Sequence, residues 1–150
     1  MVQSLITIAL VLAVAFLSPA QNPAASRLSG TWELNLTKSK IGESTTRSET
    51  LTITCSGRTI TIDNTINGKT WPPWIYTTDG KKHIFAYIPG GPEMAIARWK
   101  ESVLVTRLIG RKAKAPFDFT DRWTVSADGR TLTQVSTWPG KAIYVYDKQE

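Results

Sequence analysis

From Gly30 to the C-terminus the chain repeats one pattern, in which five to nine residues of alternating apolar and polar character are followed by a turn signal. Alternation with a period of two marks a strand with one face in a core. The turn signals are Ser56-Gly57, Asn67-Gly68, Asp79-Gly80, Gly90-Gly91, Asp128-Gly129 and Pro139-Gly140, and several are dipeptides that tolerate the positive φ of a tight hairpin. Strands are predicted near 30–36, 48–55, 58–66, 69–77, 81–88, 93–99, 102–110, 117–126, 130–138 and 141–147. With no room for long crossovers, this all-β chain closes most simply into a single antiparallel up-and-down β-barrel of about eight to ten strands, which leaves no sheet edge unpaired. A two-sheet sandwich is the alternative. Pro92 to Gly110 also fits one helix, but the β-branched run at Val103-Leu104-Val105-Thr106 and the polar break at Lys100-Glu101-Ser102 favour two strands.

Each two-residue turn fixes which side chains face each other. A turn at Ser56-Gly57 pairs Ile53 with Ile60 and Leu51 with Ile62, so the apolar face of these strands points inward and the threonines point out. Asp128-Gly129 pairs Val125 with Leu132, Trp123 with Gln134, Asp121 with Ser136 and Phe119 with Trp138, and Pro139-Gly140 then pairs Ser136 with Ile143 and Gln134 with Val145. The common inner face is apolar except for Asp121, Gln134 and Ser136. A carboxylate there is costly to desolvate unless it is paired, and Arg107, before the 110–116 loop, has the parity to reach it. The group is either a structural ion pair at a barrel mouth, or Arg107, Asp121, Gln134 and Ser136 orient a ligand beside Trp123.

Parity is less consistent in the middle of the chain. Counting from Asn67-Gly68 and Asp79-Gly80 places Ile75, Ile84, Ala86 and Ile88 inside and leaves Trp74, Tyr76, His83, Phe85 and Tyr87 outside. So large an exposed apolar patch is unusual on a soluble monomer. Either Pro72-Pro73 inserts a bulge that turns Trp71, Trp74, Tyr76 and Tyr87 into a cavity, or the aromatic patch is an interface, as in a homodimer.

The N-terminal part reads differently. Leu5 to Leu17 is an apolar run of 13 residues followed by Ser18-Pro19-Ala20, too short to span a bilayer and matched to a signal-peptide core and cleavage site. Residues 1–20 are therefore expected to be a signal peptide, 21–29 a flexible leader and 30–150 the barrel, in a secreted or periplasmic protein with no stable membrane insertion after cleavage. The formal net charge is +6, carried by a chain with six tryptophans, four tyrosines, four phenylalanines, one cysteine and one histidine. One cysteine and His83 alone exclude an internal disulfide and a multi-histidine or paired-cysteine metal site. No Ser–His–Asp order, metal-ligand spacing or phosphate loop is visible, so neither an enzyme nor a cofactor is indicated; the alternative is a haem ligated by His83. Aromatic and basic residues are not interleaved in one stretch, which argues against nucleic acid.

Gly30-x-Trp32, within the string GTWELNLTKSK, resembles the opening strand of lipocalins and their calycin relatives, and the longer string is similar to small secreted bacterial lipocalin-like domains. The resemblance implies that Gly30 and Trp32 plug the closed end of the barrel. It implies binding of a small hydrophobic or amphipathic ligand in the cavity. Fatty-acid-binding proteins carry two helices between their first two strands, and Lys38 to Arg47 is too short for that lid. The competing reading is a non-enzymatic interaction module with a filled barrel, working through an exposed aromatic or basic surface that includes Arg111 and Lys112.

Overall fold

The computed structural model describes residues 22–88, 91–112, 115–138 and 140–150. The expected signal peptide, 1–20, lies outside the described residues, as do Gly90 of the Gly90-Gly91 turn and Pro139. Ten strands follow one short helix: α1 (Pro23–Leu28), β1 (Gly30–Leu34), β2 (Glu49–Ser56), β3 (Thr59–Ile66), β4 (Lys69–Thr77), β5 (Lys82–Ile88), β6 (Gly91–Lys100), β7 (Val103–Lys112), β8 (Ala115–Val125), β9 (Thr131–Ser136) and β10 (Ala142–Lys148). All ladders are antiparallel, and the strand order is β4-β3-β2-β1-β10-β9-β8-β7-β6-β5. Pairing of β1 with β10 wraps the meander round, leaving β4 and β5 as two edges that touch without a ladder between them. The barrel is therefore nearly closed, whereas full closure through an Asp79-Gly80 hairpin was the expectation. Pro92 to Gly110 forms two strands, β6 and β7, which turn at Glu101-Ser102 with Glu101 at φ 56°.

One end of the barrel is packed solid. Within the segment expected to be a flexible leader, 21–29, Pro23–Leu28 forms α1. The Asn22 side chain accepts the Ala24 N–H, Pro23 sits at the start where its missing N–H is harmless, and Leu28 is only 2% exposed. Arg27 donates to the carbonyls of Ser126 and Ala127, and Asn22 Nδ2 to that of Glu101, tying α1 over the turns of this end. Beneath it lie Trp32, Leu104, Trp123 and Leu132, all essentially inaccessible. Trp32 Nε1 donates to the Leu28 carbonyl at 2.9 Å, and Lys148 Nζ lies 5.1 Å from the centre of the Trp32 ring. Gly30 has φ +139°, a conformation that L side chains rarely adopt, so the backbone here favours glycine; a Cβ would also meet Lys148 Cε at 2.8 Å, the flexible end of a side chain that can move aside.

Register decides which residues reach the interior, and it departs from expectation in three places. Between β2 and β3 the turn is Gly57-Arg58, which pairs Ile53 with Ile62 and Cys55 with Ile60; the slip is two residues, so the inner face is unchanged. Between β9 and β10 the connection spans five residues, 137–141, and the pairs become Ser136–Ala142, Gln134–Tyr144 and Leu132–Tyr146. This odd shift turns Tyr144 and Tyr146 inward instead of Ile143 and Val145. Between β7 and β8 the strands run on to a Lys112–Ala115 pair, so no long 110–116 loop exists and Asp121 faces Thr106, while Arg107 faces Thr120 on the outside.

Candidate functional site

The other half of the barrel is hollow. A cavity of about 310 Å³ lies between the inward faces of the strands, above the Trp123 layer, and reaches solvent beside Trp138, which is 52% exposed. A volume of this size falls at the low end of small-molecule sites. The 35–48 connection between β1 and β2 contains turns and a single Lys40–Ile143 bridge and no helix, so this connection supplies no helical lid.

The aromatic part of the wall comes from both halves of the chain. A register shift opposite Pro72-Pro73, between Ile62 and Asn64 of β3, moves Trp74 and Tyr76 to the inner face and sends Ile75 outward, 49% exposed. Tyr76 is 2% exposed and packs on Phe85 with ring centres 5.2 Å apart. Phe117, Phe119 and Trp138 form a run towards the mouth, with centroid separations of 5.8 and 6.2 Å. Gly110 makes room for this run: a Cβ there would lie 2.5 Å from Phe117 Cζ. Trp71, paired with Asn64 in the ladder, does not line the cavity and is 45% exposed under Lys69, and Ile84 is 51% exposed rather than inside.

The polar part of the wall is acidic. Asp121 is 4% exposed, and burial pushes its carboxyl up from 3.8 to about 6 despite the neighbouring Ser136 and Gln134, which lower it. Its Oδ1 has no hydrogen-bond partner among the described residues. Glu49, 6% exposed, is raised from 4.5 to about 7, again by burial, although Tyr146 Oη donates to its Oε2 at 2.9 Å. Tyr146 Oη also lies 3.2 Å from Gln134 Oε1, which joins β2, β9 and β10 in one polar cluster. Glu93, half-buried on β6, completes the acidic lining.

The cavity therefore brings together Asp121, Gln134, Ser136, Trp74 and Tyr76 of the residues singled out from the sequence. It does not include Arg107 or Trp123. Arg107 is half-exposed on the outer surface and holds Asp118 through two hydrogen bonds, so it cannot pair with Asp121 or meet a ligand inside. Trp123 lies below the cavity and donates from Nε1 to Thr106 Oγ1 at 3.2 Å, a role in the packed half. The side chain of Tyr87 lies outside the described residues. His83 Nε2 is bound to both Asp79 oxygens, at 2.9 and 3.0 Å. Sequence reasoning missed Glu49, Glu93 and Tyr144; Glu49 was within reach, since it shares the parity of Leu51 and Ile53. Among the described residues no group of three His, Cys, Asp or Glu side chains is placed to hold a metal ion.

A ten-stranded antiparallel meander, closed through its first and last strands and interrupted between the fourth and fifth, forms a nearly closed up-and-down β-barrel. No family model matches the chain, and no curated protein matches it in sequence. Solved structures do share the fold. Fatty-acid-binding protein 1 of Echinococcus granulosus superposes with a TM-score of 0.62 at 12% identity, over 83% of this chain and 99% of that one. A heat-soluble SAHS protein of Ramazzottius varieornatus gives 0.64 at 10% identity, over 82% and 96%. A Schistosoma mansoni fatty-acid-binding protein, solved in complex with arachidonic acid, gives 0.60 at 17% identity, over 85% and 99%. The chain is thus a calycin-like β-barrel of the kind seen in fatty-acid-binding and SAHS proteins.

Proposed function

We propose that the chain is an exported, non-enzymatic binding protein that holds one small hydrophobic or amphipathic molecule in the barrel cavity. The observation that carries this reading is the division of the interior. One end is filled by α1, Trp32 and Trp123, while the other keeps a cavity of about 310 Å³ walled by aromatic rings. A barrel that worked only through its outer surface would have no need of that hollow. The inward turn of Trp74 and Tyr76 also removes most of the aromatic patch on which the interaction-module alternative rested. Export is supported by the apolar run Leu5–Leu17 and the small residues after it. Fatty-acid-binding proteins among the structural neighbours support an apolar occupant.

The test is titration of the purified protein with the neutral fluorescent probe N-phenyl-1-naphthylamine, alongside the cavity-filling variant Leu108→Trp. Saturation at one probe per chain, lost in the variant, is the expected result. Equal binding by both proteins, or none by either, contradicts the reading.

A further inference from the structure

The fatty-acid-binding neighbours and the wall of this cavity point to opposite ligand charges. A bound carboxylate needs cationic or neutral donors around it, yet none of the described residues lining this cavity is Lys, Arg or His, and three are carboxylic acids. Among the described residues no three of these acids converge closely enough to hold a metal ion. Asp121 is more than nine-tenths buried, lines the cavity, and leaves Oδ1 without a partner among the described residues. An unsatisfied buried carboxylate costs stability and contributes nothing to a wall meant for a purely apolar guest. It is satisfied once an occupant brings a donor to it.

The surroundings favour a charged donor. Beside Asp121 on β8 stand its cross-strand neighbours Thr106 on β7 and Ser136 on β9, with Gln134 next to them; Tyr76 on β4 and Tyr146 on β10 are near enough to feel its charge, and Glu49 on β2 and Glu93 on β6 belong to the same wall. Every titratable group in that set is an acid, so whichever of them ionises adds negative charge to the wall and none adds positive charge. Aromatic faces such as those of Trp74 and Phe119 attract cations as well. The +6 charge of the chain acts the other way, but it is spread over the surface and screened within about 8 Å at physiological salt, whereas a contact inside the cavity is not.

We propose that the occupant is an amphipathic organic cation, an amine whose ammonium group docks against Asp121 Oδ1 while its apolar body lies among Trp74, Phe117 and Phe119. This rests on the cavity-binding reading above and specifies its ligand class.

Calorimetric titration of the purified protein with decylamine, decanol and decanoic acid tests both readings separately. An alkylammonium remains charged at pH 8, as lysine does. At that pH decylamine should bind about tenfold or more tighter than either of the others, the scale of one charge-assisted hydrogen bond. Asp121→Asn should remove about tenfold of the amine-over-alcohol preference and Glu49→Gln should reduce it, while Arg107→Ala on the outer surface should leave it intact. Lowering the pH from 8 to 5.5 protonates both carboxyls and should shrink the preference even if a variant fails to fold. Decanol or decanoate binding as tightly as decylamine would overturn the cation proposal and leave the cavity reading standing. Failure of all three probes to bind would overturn both.

Discussion

An empty cavity lined by buried carboxyls should make this protein more stable in mild acid than at pH 8. The folded state raises Asp121 from 3.8 to about 6 and Glu49 from 4.5 to about 7, in both cases by burial. A carboxyl raised on folding binds its proton more tightly in the native state, so its contribution is present at low pH and lost as pH climbs from the unfolded to the folded value. For Asp121 the loss runs from about pH 4 to 6, and for Glu49 from about 4.5 to 7. Between pH 5 and 8 linkage gives on the order of 1–2 kcal/mol for Asp121 and 2–3 kcal/mol for Glu49, about 4 kcal/mol together. At 2–4 °C per kcal/mol for a domain of this size, the melting point should fall by about 8–16 °C. The surface carboxylates Asp79, Asp118, Asp128 and Asp147 are all held below 3.8, so their losses fall at more acidic pH and leave this window to the buried pair. The assay is urea unfolding of ligand-free protein, followed by tryptophan fluorescence at pH 5 and pH 8, for the wild type, Asp121→Asn, Glu49→Gln and the double variant. The double variant should lose most of the pH dependence. A wild type more stable at pH 8 than at pH 5, or a double variant that titrates like the wild type, would refute the argument that these carboxyls are buried and strained.

Other perturbations report on separate parts of the fold. Trp32→Ala should cost about 3–5 kcal/mol in denaturant unfolding, as loss of a fully buried large side chain. Leu28→Ala should cost about 2–5 kcal/mol, and a neutral result would show that α1 is not docked on the barrel. Arg107→Ala should leave the unfolding midpoint close to wild type, because its pair with Asp118 is on the open surface where such pairs contribute little; collapse of the fold would contradict the outward placement. Gly110→Ala should push Phe117 across the mouth and weaken probe binding while the protein remains folded, since the clash is with the far end of a side chain.

How far the sequence could be read depended on whether a feature was local. The strand boundaries of β2, β3 and β4 were visible to within a residue or so, because alternation and the glycine turns around them are properties of adjacent residues. Inner faces were legible where the turn had its expected length and no bulge followed, as at Asp128-Gly129, where the pairs Val125–Leu132, Trp123–Gln134 and Asp121–Ser136 form as counted. They were not legible across 137–141, where a single added residue exchanges Val145 for Tyr146, nor at β7–β8, where the hairpin length sets Arg107 outside. The Pro72-Pro73 pair did mark the site of an irregularity, and it is the irregularity that creates the aromatic wall. The α1 helix is six residues long, too short to show a period, and its stability comes from docking Leu28, which is a tertiary fact. The acidic character of the cavity was hidden for a similar reason: Glu49, Glu93 and Asp121 come from β2, β6 and β8, and only barrel closure brings them into one wall. These acids also connect the stability argument to the ligand, because a group that destabilises the empty barrel is one that a cationic guest would relieve.

The most direct measurement is native mass spectrometry of the protein purified from its own source, followed by denaturing extraction of whatever it carries. A stoichiometric small molecule released on denaturation is the predicted result, and a basic nitrogen in its formula would agree with the acidic wall. A clean ligand-free mass from freshly isolated protein would contradict the claim that the cavity exists to hold a guest.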